Sequence, residues 1–485
     1  MLHLIENVNH MLKKLVKPLL VVTTLLVLSN SVGATATTNS GPILIVANPV
    51  RPVDMFGNPK VTDKYLNGIT GTRIGKINTT KDWYTLANYT DTNLGATAWY
   101  VIDLTLDTAH NKMYWVDYYG INEGTIGGCG GKSTCAKLLY STSDLGTTNG
   151  FEYVTGLGID QKKKVLYAGV FNNTSKEYEI KQLPITKNLD GIKTLTSANH
   201  IPNGSGLGSI VYFQNKVYWT QDASDDVLDG VYWGSTTNSD FGTLVDGSGD
   251  IEIPQDVWGM AIDRKSMTAY FSSYFSTEPG PSGHIGSVSL KAPFKSTFGL
   301  VHIDCPSDQV AGPAGVAYDY HNNKITWGNW NYNSAGDPGT ALATVRDSGP
   351  DPIPSVDRKC KFIETNQPDM LDGDTVVAHG QSGVVSYLYK PEFMSTAKAS
   401  FKKKRHAELK CSATLQQDRP EAHLYISPSK VTYNWLLNGK KSVGHKSTLR
   451  AKKAGKYSCV VTAKNYAGRT VKKSKMVKVT RAQAK

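Results

Sequence analysis

The chain holds 485 residues with a mean hydropathy of −0.32 and a formal net charge of +12. Hydrophobic residues make up 40% and aromatic ones 9%, which suits two or three packed domains and excludes a disordered polyelectrolyte. The charge is split: residues 398–485 carry 23 Lys and Arg against Glu408, Asp418 and Glu421, or +20, while the other 397 hold 30 basic and 38 acidic groups, or −8. That split excludes a uniformly basic nucleic-acid binder and points to a basic module joined to an acidic body.

The N-terminus has the parts of an export signal. Lys13, Lys14 and Lys17 precede an apolar run from Leu19 to Leu28, and Ala34-Thr-Ala36 supplies the small residues of a cleavage site. The run is short for a bilayer span, and no later segment approaches that length. Residues 1–36 are therefore expected to be a signal peptide, with an uncleaved anchor as the competing reading. The mature chain would be soluble and secreted, or periplasmic in a Gram-negative bacterium. Residues 37–41 form a polar lead, and Pro42 to Ala47 is a compact strand candidate.

From there one unit recurs. Asp107 to Asp117 reads DTAHNKMYWVD: an Asp, a short polar run, then an apolar and aromatic strand. The same shape returns from Asp160 to Tyr167, Asp263 to Phe271 and Asp319 to Trp327, and a fifth copy, Ile210 to Trp219, has a tighter turn and no Asp. Landmarks Tyr114, Tyr167, Tyr218, Tyr270 and Thr326 are spaced 53, 51, 52 and 56 residues apart. A period near 50 signals a repeat architecture. Each copy has the grammar of a β-hairpin, with β-branched and aromatic residues on both sides of a polar turn. The thirty or so residues left in each period allow two further strands, and four strands per repeat is the blade of a β-propeller.

Tyr114-Trp115-Val116-Asp117 is one residue from YWTD, and Tyr218-Trp219-Thr220-Gln221 is another near match. Residues 42–390 thus resemble the YWTD-type six-bladed propellers of the lipoprotein-receptor class. The repeats here are longer than is usual in that family, and only one keeps the closing Asp. The resemblance implies that these residues hold blades together and carry no catalysis. It also implies that a strand near the start closes the ring against the last blade, here Ile43 to Ala47 against Val384 to Tyr389. Five hairpins plus this shared sheet give six blades; seven would follow if Arg51 to Asn88 formed its own.

Between the hairpins lie long polar loops, where a rigid scaffold usually carries its binding sites. Asp222, Asp225, Asp226 and Asp229 crowd one of them and could hold calcium, although the EF-hand spacing is absent and a solvated turn is the simpler account. No other cofactor is indicated. His110, His200, His284, His302, His321 and His379 never pair at metal-ligand spacing, and no G-x-S-x-G, P-loop or H-E-x-x-H occurs. Asn78, Asn88, Asn172, Asn173 and Asn203 lie in N-x-S/T sequons, glycan acceptors only in a eukaryotic secretory pathway. Six cysteines in an exported chain favour disulfides, paired by proximity as Cys129–Cys135, Cys305–Cys360 and Cys411–Cys459, with zinc as the weaker alternative for the first pair.

Residues 391–405 are read as a basic linker. Beyond it, Cys411 lies on an alternating strand, Trp435 precedes an Asn438-Gly439 turn, and Tyr457 stands two residues before Cys459. Residues 406–480 therefore resemble an immunoglobulin-like domain. Trp435 follows Cys411 by 24 residues, which implies an insertion near Asp418 to Lys430, and Lys453 replaces the acid often found before the Tyr.

The fold expectation is all-β: a propeller followed by an immunoglobulin-like β-sandwich. The functional expectation is a secreted binding or adhesion protein, with a protein or glycan ligand on a propeller face and an acidic polymer or cell surface on the basic domain. Lys402, Lys403, Lys404, Arg405, Lys440, Lys441, Lys452, Lys453, Lys472, Lys473 and Lys475 are the expected polyanion contacts. The alternative is an extracellular propeller enzyme, a lyase or a hydrolase such as a lactonase, with a basic targeting domain.

Overall fold

The Asp that opens each repeat caps a turn. Asp107 Oδ1 accepts the His110 N–H at 3.2 Å, Asp160 Oδ1 those of Lys162 and Lys163 at 3.0 Å, Asp263 Oδ1 that of Lys265 at 2.9 Å, and Asp319 Oδ1 that of His321 at 3.0 Å. All four side chains are buried, so each carboxylate satisfies turn N–H groups that water does not reach. The fifth copy, without the Asp, uses a two-residue turn instead, with Gln214 and Asn215 both at positive φ. That is the geometry Asn accepts and a tight hairpin demands.

In a computed structural model the described residues are 43–48, 73–77, 83–88, 102–117, 119–126, 137–148, 153–196, 206–222, 229–246, 257–275, 282–291, 299–300, 313–321, 324–329, 342–346, 361–362, 385–416 and 426–484. Over these, six four-stranded antiparallel sheets form the blades of a β-propeller. The first comprises Asp103–Asp107, Lys112–Asp117, Gly120–Thr125 and Lys137–Ser141. The second comprises Val154–Asp160, Val165–Asn172, Glu177–Pro184 and Lys193–Thr196. Gly206–Phe213, Lys216–Asp222, Gly230–Ser235 and Phe241–Asp246 make the third; Val257–Asp263, Thr268–Phe275, Ser282–Ser289 and Gly299–Leu300 make the fourth. The fifth holds Pro313–Asp319, Lys324–Asn329, Leu342–Arg346 and Lys361–Phe362.

The sixth blade is shared between the chain's two ends. Val385–Leu388 pairs antiparallel with Ile43–Asn48, in register Ile43 with Leu388 through Val46 with Val385. Arg73–Ile77 and Trp83–Asn88 complete the sheet. The described strands of the segment 51–88 thus belong to this closing blade, and six blades are formed among the described residues. The first strand of each blade touches the first strand of the next, in a row running from Asp103–Asp107 to Val385–Leu388.

Between blades, apolar faces interlock. Tyr114, Val116, Ile121 and Tyr140 pack against Val154, Leu157, Ile159 and Val170. Tyr270, Ile285, Val316, Ile325 and Trp327 join the fourth and fifth blades. Trp115, Trp219 and Trp327, one per hairpin, are fully buried. Each such side chain stabilises by about 2–3 kcal/mol relative to exposure.

Residues 398–479 form a two-sheet β-sandwich. One sheet orders Lys398–Lys403, Glu408–Ser412 and Thr448–Arg450. The other orders Lys441–Gly444, Lys430–Leu437, Gly455–Asn465 and Gly468–Lys473, with Val477–Val479 also pairing Gly455–Asn465. The expected disulfide Cys411–Cys459 joins the sheets across a Cα separation of 6.1 Å. Trp435 is buried beside it, its Nε1–H donating to the Lys446 carbonyl at 2.9 Å. The Tyr457 hydroxyl reaches back to the Lys453 carbonyl at 2.8 Å, the bond expected of its place two residues before the Cys.

The linker reading of 391–405 is corrected. Lys398–Lys403 is an edge strand of the sandwich, with Ala399 opposite Cys411 and Phe401 opposite Leu409, and Phe393 already bridges to Leu415. Its two apolar residues pack inward while Lys398 and Lys402 point out, so basic composition hid a short amphipathic strand. At the other end the domain passes residue 480, because Ala484 packs on the same core.

The sandwich is fastened to the propeller at the turn end of the fifth blade. The Tyr389 hydroxyl donates to the Tyr318 carbonyl and Asp319 Oδ1, both at 3.3 Å, and Asn465 Nδ2 donates to the Tyr389 carbonyl at 2.6 Å. His321 Nε2 lies 2.7 Å from Glu392 Oε1. Burial alone would raise the Glu392 carboxyl, but His321 outweighs it and holds the acid below its ordinary range.

Two outcomes follow. Cys411→Ser should destabilise the sandwich by about 2–5 kcal/mol. Calorimetry would resolve this as an early-melting sandwich beside an unchanged propeller. Deleting residues 43–48 should lower the propeller's melting temperature, since it leaves the closing strand without its partner and exposes sheet edges. An unchanged propeller melt would contradict ring closure through this strand.

Candidate functional site

The ends of the innermost strands away from the Asp turns border the central channel. In the second to fifth blades each innermost strand is interrupted there by a register shift: Thr155 to Leu157, Leu207 to Ile210, Val257 to Met260 and Pro313 to Val316. Such bulges re-aim backbone N–H groups, which must then find acceptors. In the third blade Thr220 Oγ1 accepts the Ser209 N–H at 2.9 Å and donates to the Trp258 carbonyl of the fourth at 2.6 Å. In the fourth, Ser272 Oγ accepts the Gly259 N–H at 2.8 Å.

The first blade's innermost strand has no bulge and carries Asp103 instead. Its carboxyl accepts the Leu104 N–H at 2.7 Å and the second blade's Leu157 N–H at 2.6 Å, with a further backbone donor from Ile210 of the third. One side chain therefore ties three consecutive blades at the channel. Burial pushes its pKa up to about 8, against the opposing pull of those backbone donors. Both oxygens are taken by main-chain N–H groups, so Asp103 acts as a clasp between blades. Sequence reading missed it because a lone Asp at a strand start has no motif.

Trp258 stands at the same end of the fourth blade's innermost strand and is 39% exposed. Asp222 and Asp229 flank a loop of the third blade on this side, Asp229 buried and Asp222 half-buried. Asp225 and Asp226 lie outside the described residues. No group of three or more His, Cys, Asp or Glu at metal-binding distances occurs among the described residues. This end of the fourth blade thus offers an accessible indole ring, which suits ligand contact by stacking.

Of the histidines, His110 is exposed with Nδ1 2.6 Å from Asp107 Oδ2, and His321 holds Glu392. His200, His302 and His379, and the side chain of His284, lie outside the described residues, as do the pairs Cys129–Cys135 and Cys305–Cys360 and the signal segment 1–36. Among the expected basic contacts, Lys402, Lys403, Lys404, Arg405, Lys440, Lys441, Lys452, Lys453, Lys473 and Lys475 are exposed and Lys472 is half-buried. They lie on several turns and edges and do not gather. Lys402 is bound to Glu408 at 3.0 Å, and Lys403 lines a shallow groove with His406, Glu408 and Arg450.

Asp103 carries a pH signature. The folded carboxyl keeps its proton up to about 8, whereas the unfolded chain releases it near 3.8. The folded state binds more protons between those values, so its stability is full below the lower one and falls as pH rises towards the upper. Asp103→Asn should flatten that decline, seen as a smaller difference in melting temperature between pH 5 and pH 9. An unchanged difference would show that Asp103 is not the titrating clasp.

No protein-family profile and no curated protein matches the sequence. Solved structures do share the arrangement. A nidogen in complex with laminin is 10% identical, with a TM-score of 0.43 over 72% of this chain and 98% of its own. A putative 6-phosphogluconolactonase from Bacteroides fragilis is 10% identical, with 0.40 over 73% and 99%. An oligogalacturonate lyase in complex with manganese is 9% identical, with 0.38 over 67% and 77%. At these scores the likenesses carry no inference about chemistry or partners, and the propeller stands on the strand order given above.

Proposed function

We propose that this is an exported binding protein in which the channel mouth of a lipoprotein-receptor-type propeller takes a ligand while an immunoglobulin-type basic domain anchors the molecule to an acidic surface. The observation that carries this is the attachment geometry. The sandwich is held at the turn end of the fifth blade through Tyr389, Glu392 and Asn465, and the mouth with Trp258 lies at the opposite ends of the strands. A ligand at the mouth and a surface on the sandwich can then be engaged together. The immunoglobulin assignment is supported by Cys411–Cys459, the buried Trp435 and the Tyr457 bond. The YWTD-type assignment is supported by the Tyr-led hairpins and by the closing strand.

Screening the full chain against protein and glycan arrays tests the proposal. Trp258→Ala should weaken the captured ligand about tenfold, the usual order for losing a stacked aromatic contact, and leave retention on an acidic matrix unchanged. Turnover of a lactone or an oligogalacturonate by the purified chain, with no ligand captured, would favour the enzymatic alternative.

A further inference from the structure

Strand alternation in the larger sandwich sheet gathers a charged face that the Lys runs in the sequence do not reveal. Along Lys430–Leu437, Trp435 is buried and Tyr433 and Leu437 pack on the core, which turns Lys430, Thr432 and Asn434 outward. Lys430 stands directly opposite Lys464, and Lys464 opposite Arg469, so three positive charges form one row over three neighbouring strands. Further along Gly455–Asn465, Lys473 pairs with Val460, and at its far end Lys456 stands opposite Lys478. Lys456, Val460 and Lys464 are four residues apart and share a face, so positive charge recurs in steps of about 13 Å along the strand.

Like charges directly opposite one another destabilise a sheet. None of the six forms an ion pair among the described residues, and no described acid lies on this face. The other sheet is built differently: its Glu408 holds Lys402 and stands opposite Arg450. That sheet thus has one acid to offset part of its positive charge, whereas this face has none among the described residues.

We infer that this face, with Lys430, Lys464, Arg469, Lys473, Lys456 and Lys478, is the docking surface for a linear acidic polysaccharide, sulfated or uronic. Anions laid along the Lys464-to-Lys456 axis would cancel the repulsion within each row. Between the charged rows the face presents Thr432, Asn434, Thr462, Val460 and Val471, small groups that suit sugar hydroxyls. The aromatic rings of these strands, Tyr433, Trp435 and Tyr457, pack on the core, so the strands themselves present no described outward ring for stacking nucleic-acid bases. The inference deepens the anchoring role proposed above and rests on it.

The test uses the full chain with heparin as the probe. Two triple variants remove equal charge: Lys430→Gln/Lys464→Gln/Arg469→Gln on the face, and Lys403→Gln/Lys404→Gln/Arg405→Gln at a turn. The face triple should weaken heparin binding at least tenfold and lower the slope of log affinity against log salt by about three. The turn triple should change affinity less than threefold. Because repulsion is relieved, the face triple should melt at or above the wild-type temperature, and heparin should raise the melting temperature of the wild type and the turn triple more than that of the face triple. Should that triple melt early, Lys456→Gln/Lys473→Gln at the other end of the face gives the same readout. Equal losses in both triples would overturn the assignment of the face in favour of a diffuse basic field. Binding of duplex DNA or phosphatidylserine vesicles as tight as that of heparin would overturn the polysaccharide. Wild-type chain that heparin does not retain would overturn the anchoring role itself.

Discussion

Sheets that converge on one axis bring main chain against main chain, and the N–H groups there must be satisfied without room for much side chain. This constraint organises the propeller. A Cβ on Gly156 would stand 2.6 Å from the Gly208 carbonyl oxygen, and one on Gly208 would collide with the Trp258 carbonyl. Bulges then turn backbone donors out of their ladders, and the acceptors differ by blade: the hydroxyls of Thr220 and Ser272, or the carboxyl of Asp103. Each acceptor is buried, so losing one would orphan a main-chain donor at a cost of about 1–3 kcal/mol.

The same constraint accounts for what could be read from the chain. The period near 50, the Asp turns and the buried aromatic residues of the hairpins were legible because they depend on local turn chemistry and alternation, which a sequence displays directly. Thr220, two residues after its landmark Tyr, was visible as part of a near match to YWTD, and Ser272 stands at the equivalent place after Tyr270, but their task of capping a bulge was not visible, since a bulge leaves no mark in composition. Asp103 was invisible for a related reason: two of its partners, Leu157 and Ile210, lie in later blades, brought near only by the packing of consecutive blades. The basic surface shows the opposite error. Runs such as Lys402 to Arg405 drew attention by density, whereas Lys430, Lys464 and Arg469 are far apart in sequence and meet only through strand register.

Ring closure and domain attachment are one mechanical device. Val385–Leu388 closes the sixth blade, and the next residue, Tyr389, donates to Asp319, the acid that already caps the fifth blade's turn. A capping residue found in four repeats is thus used a second time in one of them. With only one residue's separation, the closing strand fixes where the sandwich begins, and Asn465 and Glu392 fix its orientation. The seam between the two domains is accordingly short and hydrogen-bonded.

That seam bears on whether the acidic propeller could itself neutralise the basic sheet face. The row of Lys430, Lys464 and Arg469 lies at the end of the sheet nearest the propeller, because Asn465 binds the Tyr389 carbonyl and Gly468 approaches Lys390. The exposed side chain met there is Lys390, which adds a positive charge. Glu392, the acid at the seam, is engaged by His321. More distant carboxylates act through solvent, where screening over about 8 Å at physiological salt removes most of their pull. Among the described residues, the row is left without a compensating acid. A polyanion can supply that compensation along the full length of the face.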